Sequence, residues 1–263
     1  MLKAKKKKNN RKKAKKDMRE NTAKKQNAGL LASKNAFKKI PPSLIQYLYE
    51  WDDIYKKSIN DIPLFNKNVD LSWSKEKKQD FVKLLYHVRG HFSDFLWCIG
   101  NKAPNIKSKN IILYNYAEEF GGNFCSHEQL YFYFAEAMGI SSPKDVIDKK
   151  YYKPFLKKFN QGHLDWLKTN AWNGCLGAYA AYERLDNLDY VNLLYVAEKM
   201  GASNKGLIFF KVHSKAEHFD STIDLLAESW LEDEETVNAS FQFIAEHQVN
   251  MWKKVSNELL SHS

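Results

Sequence analysis

Most of the glycines and prolines of this chain fall between, not within, stretches in which apolar residues recur every three to four positions. No segment sustains the period-two alternation of β-branched and aromatic residues that a half-buried strand requires. A chain punctuated this way has few options besides helices packed on helices. The expected fold is therefore all-α, a bundle of seven to nine helices.

The boundaries follow from capping chemistry. Pro41-Pro42 starts the ordered part, and a short amphipathic helix opens at Ser43-Leu44-Ile45. Ser74 is an N-cap for a helix of about 25 residues ending at Gly100. The next helix runs from about Ile106 to Phe120 and stops at Gly121-Gly122, and Ser126 caps another from His127 to Met138. Further helices are expected over about 152–170, 172–186, 188–200, 204–229 and 234–260.

The formal net charge of +10 is concentrated at one end. Residues 1–27 hold thirteen Lys or Arg against Asp17 and Glu20, a local charge of +11, which leaves −1 for the remainder. Residues 1–35 read as a solvated basic tail, and 36–263 as a single helical domain. The tail offers weak, sequence-independent contact with a polyanion, but no aromatic residue interleaves it to stack on single strands. Cys98, Cys125 and Cys175 are an odd set without CxxC spacing, which argues against a disulfide framework or a zinc ribbon. No run reaches the eighteen or so apolar residues of a membrane span, and no secretory h-region follows the basic start. The expectation is a cytoplasmic protein with no membrane span, with a homodimer left open beside a monomer.

Chemistry is expected where carboxylates and imidazoles interrupt apolar helix faces. His213, Glu217 and Asp220 stand at i, i+4 and i+7, within roughly 60° on one helix face, whereas His218 points about 140° from His213. One imidazole and two carboxylates on one stripe, without thiolate, suit iron or manganese in a helical bundle; a solvent-facing polar stripe is the competing reading. Glu183, beside Ala180 and Ala181, is hard to bury unpaired, so it binds a metal or forms an ion pair. Tyr116 and Tyr182 adjoin these positions. His87 and His91 have metal-pair spacing but read as core or supporting groups, and His163, His247 and His262 have no partner pattern.

Several pieces, in order, are similar to the heme-oxygenase-like diiron oxidase and oxygenase superfamily. That group is allied to the TenA and pyrroloquinoline-quinone synthase folds and includes the chlamydial protein associating with death domains. The pieces are Tyr86-His87-Val88-Arg89, Ala103-Pro104-Asn105, the run Asn115–Gly122, Ser126–Leu130, Phe134–Gly139, Tyr182-Glu183 and Phe209–His213. Together they cover roughly residues 75–230.

The resemblance implies two iron ions, with manganese as the alternative, held by Glu118 (or its neighbour Glu119), His127, Glu183, His213, Glu217 and Asp220. Glu183 is the implied bridge, and Glu183 with Tyr182 carries the chemistry. The implied activity is O2-dependent oxidation of a small organic substrate. Asp220 stands where the family pattern has a histidine, a departure that bears on the second ion. Two other readings stay open: a cofactor-free TenA-like enzyme, and a non-catalytic interaction protein on the same fold.

Overall fold

The computed structural model describes residues 40–122, 125–215 and 218–261, with His218 described by its backbone alone. Residues 42–263 form one compact unit. The basic tail lies outside the described residues.

The regular secondary structure of the described residues is all helix, without strands. In chain order they form α1 (Pro42–Asn60), α2 (Lys75–Arg89), α3 (Phe92–Lys102), α4 (Ile106–Glu119), α5 (His127–Ala137) and the single turn α6 (Pro143–Val146). Then come α7 (Pro154–Thr169), α8 (Trp172–Lys199), α9 (Ile208–His213), α10 (His218–Glu232) and α11 (Glu234–Leu260). Two short 3-10 turns lie at Pro63–Phe65 and Lys149–Tyr151. The all-α expectation holds, and three boundaries move. The helix expected to run on from Ser74 breaks at Gly90-His91, the segments expected at 172–186 and 188–200 are one helix, and the segment expected at 204–229 is two.

Helix α8 organises the unit. From Gly174 to Leu185, except Arg184, every residue is buried. A helix that is apolar all round has no solvent face and becomes the core. Its small residues let a neighbour come close: a Cβ added to Gly177 would stand 2.9 Å from the Ser240 side chain and 3.3 Å from the Val237 backbone of α11. Ser240 Oγ donates to the Gly174 carbonyl at 3.1 Å, so the close approach also satisfies a buried hydroxyl. Along α11, Val237, Phe241, Ile244, Gln248, Trp252 and Val255 are buried at helical spacing.

Caps place the ends of α4 and α5. Asn105 Oδ1 accepts from Ser108 N at 2.9 Å and starts α4. The chain leaves α4 through Gly121, at φ 95°, a conformation that costs glycine nothing; Gly121 N donates to Glu118 O and Gly122 N to Ala117 O. Ser126 and Gln129 form a reciprocal capping box that starts α5 at His127. The last residue of α4, Glu119, and the first of α5, His127, are thereby turned toward each other.

Candidate metal centre and its cavity

His127 Nδ1 lies 2.7 Å from Glu119 Oε1. The His127 and His213 rings approach to 4.4 Å between centroids. One donor atom from each of Glu119, His127 and His213 falls within 4.8 Å of the other two. His213 ends α9, and its Nδ1 lies 2.7 Å from the Phe209 carbonyl oxygen. A carbonyl only accepts, so Nδ1 carries the proton and Nε2 the lone pair. That is how a ligating imidazole is usually oriented by its surroundings. Tyr190 stacks on the same ring at 4.3 Å and holds its plane.

These three groups sit on the wall of a cavity of about 310 Å³ whose lining also includes Glu183, Asp186 and Tyr182 from α8 and Arg89 from α2. Glu183 is 8% exposed. Burial first, and then the Glu119 and Asp186 charges, push its carboxyl well above the usual carboxylate range. One helical turn on, Asp186 is pushed up to about 7 by burial, against the opposing pull of Arg89. Arg89 pairs closely with Asp186, donates to Tyr182 Oη at 3.1 Å, and reaches Asp189 at 3.5 Å. Asp189 in turn accepts from Trp252 Nε1 at 2.7 Å and sits 2.9 Å from Tyr55 Oη. The guanidinium is thus bracketed by two carboxylates and faces the rings of Tyr190 and Trp252, at 5.0 and 5.3 Å.

The donor set fits an iron ion. Two imidazoles and a carboxylate without thiolate, leaving other positions open, are a non-heme Fe(II) arrangement. Glu183 is a second carboxylate on the same cavity wall, held above its ordinary pKa by burial and by the neighbouring Glu119 and Asp186 charges, which a divalent cation would offset.

The sequence-predicted residues divide. His127, His213, Glu183 and Tyr182 line the cavity. Of the neighbouring glutamates, Glu119 joins the two histidines, while Glu118 is hydrogen-bonded by Tyr114 and is not a member of the group. The one-face arrangement of His213, Glu217 and Asp220 does not form as a continuous helix: α9 ends at His213, a turn follows at Ser214-Lys215, and α10 begins at His218. Asp220 is exposed in the first turn of α10, and Glu217 lies outside the described residues. Sequence reasoning missed Asp186, Arg89 and Tyr190. For Asp186 the signal was available, a second carboxylate one turn beyond Glu183 in an apolar run.

The remaining histidines are elsewhere. His87 Nε2 lies 3.0 Å from the Asp148 carbonyl, and its ring stacks on Tyr152. His91, fully surrounded, hydrogen-bonds His163 (Nε2 to Nδ1, 2.9 Å), and His163 lies 4.9 Å from His247 between ring centroids. No helix among the described residues is long and apolar enough to cross a membrane.

The sequence profile of a family described as iron-containing redox enzymes matches residues 79–252. No curated protein matches. Among solved structures, the chain is similar to a domain of unknown function with a heme oxygenase-like fold from Shewanella denitrificans. There the TM-score is 0.65 at 18% identity, over 82% of this chain and 92% of that one. It is also similar to a CADD-like protein of unknown function from Nostoc punctiforme. That likeness has a TM-score of 0.61 at 14% identity, over 83% of this chain and 98% of that one. Likenesses at these identities establish the heme oxygenase-like fold.

Proposed function

The chain belongs to the iron-containing redox enzyme family, and from that premise we propose that it is a non-heme iron oxidase or oxygenase that uses O2 on a small organic substrate. The observation that carries this reading is the convergence of Glu119, His127 and His213 on one wall of a cavity of about 310 Å³. Such a volume suits a small molecule.

Iron, when bound, supplies O2 activation and the redox equivalents. The rest falls to the chain. Glu119, His127 and His213 would hold the first ion. Glu183 would be the further carboxylate ligand and the candidate bridge, and Glu217 and Asp220 would be the remaining donors for a second ion. Tyr182, its hydroxyl held by Arg89 and its ring stacked on Phe92 at 5.0 Å, walls the cavity and positions what lies beside Glu183.

The test is iron content after anaerobic loading with Fe(II) and desalting, followed by O2 uptake. One iron per chain corresponds to the Glu119–His127–His213 ion alone, and two to the bridged pair. His213→Ala is expected to abolish iron retention and iron-dependent O2 uptake while the helical far-UV signal persists. Retention of no iron by the native chain overturns the proposal, and turnover undiminished by a chelator would favour a cofactor-free enzyme on this fold.

A further inference from the structure

Asn115, in α4, is 2% exposed, and the iron reading gives it no task. Its Nδ2 donates to Tyr179 Oη on α8, and its Oδ1 accepts from Ser221 Oγ on α10 at 3.3 Å. Tyr179 is fully buried, in a cluster with Phe95, Ile112 and Leu225. Its hydroxyl also hydrogen-bonds Thr222 of α10 and, one turn along its own helix, the Glu183 carboxylate. Three helices thus meet at one phenol.

The protons along this row have one consistent arrangement. An ionised carboxylate only accepts, so the Tyr179 proton goes to Glu183. The phenol oxygen then accepts from Asn115 Nδ2 and from Thr222. The opposite setting of the Asn115 amide would draw the Tyr179 proton to Oδ1 and leave Glu183 without it. Donation therefore runs from Ser221 through Asn115 and Tyr179 to Glu183, and hydrogen bonds in such a chain strengthen one another. A phenylalanine at 179 with a leucine at 115 would leave no buried polar group to satisfy. What the polar pair adds is a fixed, charge-assisted hydrogen bond to Glu183.

We propose that Tyr179 is a positioning residue of the metal centre: held by Asn115 and Thr222, it engages the Glu183 carboxylate and so sets how that group is offered to an ion in the cavity. This rests on the reading of Glu183 as a ligand. Tyr179 is not part of the cavity lining, so it acts on the ion through Glu183, and Asn115 acts through Tyr179. Ser221 and Thr222 belong to the helix that carries Asp220, so the same row ties Glu183 to α10.

The test is a double-variant cycle on the full chain, read by anaerobic titration with Co(II) against a chelator. Co(II) stands in for Fe(II), and its visible bands report the number and arrangement of its ligands. Tyr179→Phe should weaken Co(II) binding about tenfold and shift those bands, the usual scale for losing a group that orients a metal ligand. Glu183→Gln should weaken binding at least as much. With Glu183→Gln in place, Tyr179→Phe should cost less than about twofold more, because nothing is left for it to position. A residue that only supported the fold would cost the same in both backgrounds. Asn115→Leu, which keeps the hydroxyl and frees its direction, should lose about threefold and only where Glu183 is present; it carries the same cycle if Tyr179→Phe does not fold. Equal losses in both backgrounds, or unchanged Co(II) affinity and spectrum in Tyr179→Phe while Glu183→Gln weakens binding, overturn the proposal. A native chain that binds no Co(II), or binding indifferent to Glu183→Gln, sinks instead the reading on which it rests.

Discussion

Two groups of histidines in this protein have the same residue type and opposite surroundings. His127 and His213 stand at helix ends, beside Glu119, on a cavity wall. His91 and His163 are sealed inside the bundle, hydrogen-bonded to each other, with Phe95, Phe159 and Tyr182 around them. In the second group each proton is accounted for along a short chain. His91 Nδ1 donates to the Val88 carbonyl, so its Nε2 must accept from His163 Nδ1. Among the described residues no carboxylate is hydrogen-bonded to that row. Burial drives the His91 pKa down to about 3 and that of His163 well below the ordinary imidazole value. An imidazole beside a carboxylate on a cavity is equipped to hold a cation. One in an aromatic box is a neutral core side chain that happens to hydrogen-bond. The carboxylate and the cavity make the difference.

That contrast breaks if metal binding and stability fail to separate. The largest expected effect is at Glu119: Glu119→Gln removes the anionic donor between the two histidines and should weaken iron binding on the order of 100-fold in chelator competition, with the melting behaviour of the metal-free protein little changed. Next is His163→Ala, which should leave iron content intact and lower the stability of the metal-free protein by about 2–4 kcal/mol in urea unfolding, since it empties a fully enclosed site.

The acid limb sharpens the same point. With their folded-state pKa values depressed, His91 and His163 bind protons in the unfolded chain that they refuse in the folded one. Stability is therefore full above about pH 6.5 and falls as the pH drops toward 3, by up to about 1.4 kcal/mol per pH unit for each histidine. In His163→Ala the slope between pH 6 and 4 should flatten by about one proton, read from urea midpoints across that range; an unchanged slope would mean that His163 is charged in the folded protein. The smallest effect is the control at the neighbouring glutamate: Glu118→Gln should change iron affinity less than about threefold, because Glu118 is engaged by Tyr114 and Glu119 is the carboxylate grouped with the two histidines. Equal losses at Glu118 and Glu119 would dissolve the distinction between them.

Much of the fold was legible because capping and turn chemistry is local. Ser74, Asn105, Ser126 and Gly121-Gly122 each act within four residues; the helix starts at 75, 106 and 127 are those expected, and the end before Gly121 falls at Glu119, one residue short of the expected Phe120. The misplaced boundaries have non-local causes. The Gly90-His91 break coincides with the side chain of His91 turning to pair with His163, 72 residues away. In α8 the stretch from Gly174 to Asp186 is buried on nearly every face, which erases the periodicity there and hides its continuity with the one-sided stretch that follows. At the site, the residue types and their order along the chain were readable: Glu183 and His213 were singled out from them, and His127 through the family resemblance. The choice of Glu119 over Glu118 was not, because both fit a helix ending before Gly121 and only the angle at which α4 meets α5 selects one.

The sequence by itself therefore determined an all-helical chain with carboxylates and imidazoles set into apolar faces, since periodicity and caps are encoded within a few residues. Only the tertiary structure decided which of those groups share a cavity. It placed His213 with His127 across 86 positions of chain, left Asp220 exposed, and set Arg89 between Asp186 and Asp189. Long-range packing fixes the relative orientation of helix ends to within ångströms, and ligand geometry depends on distances of that size.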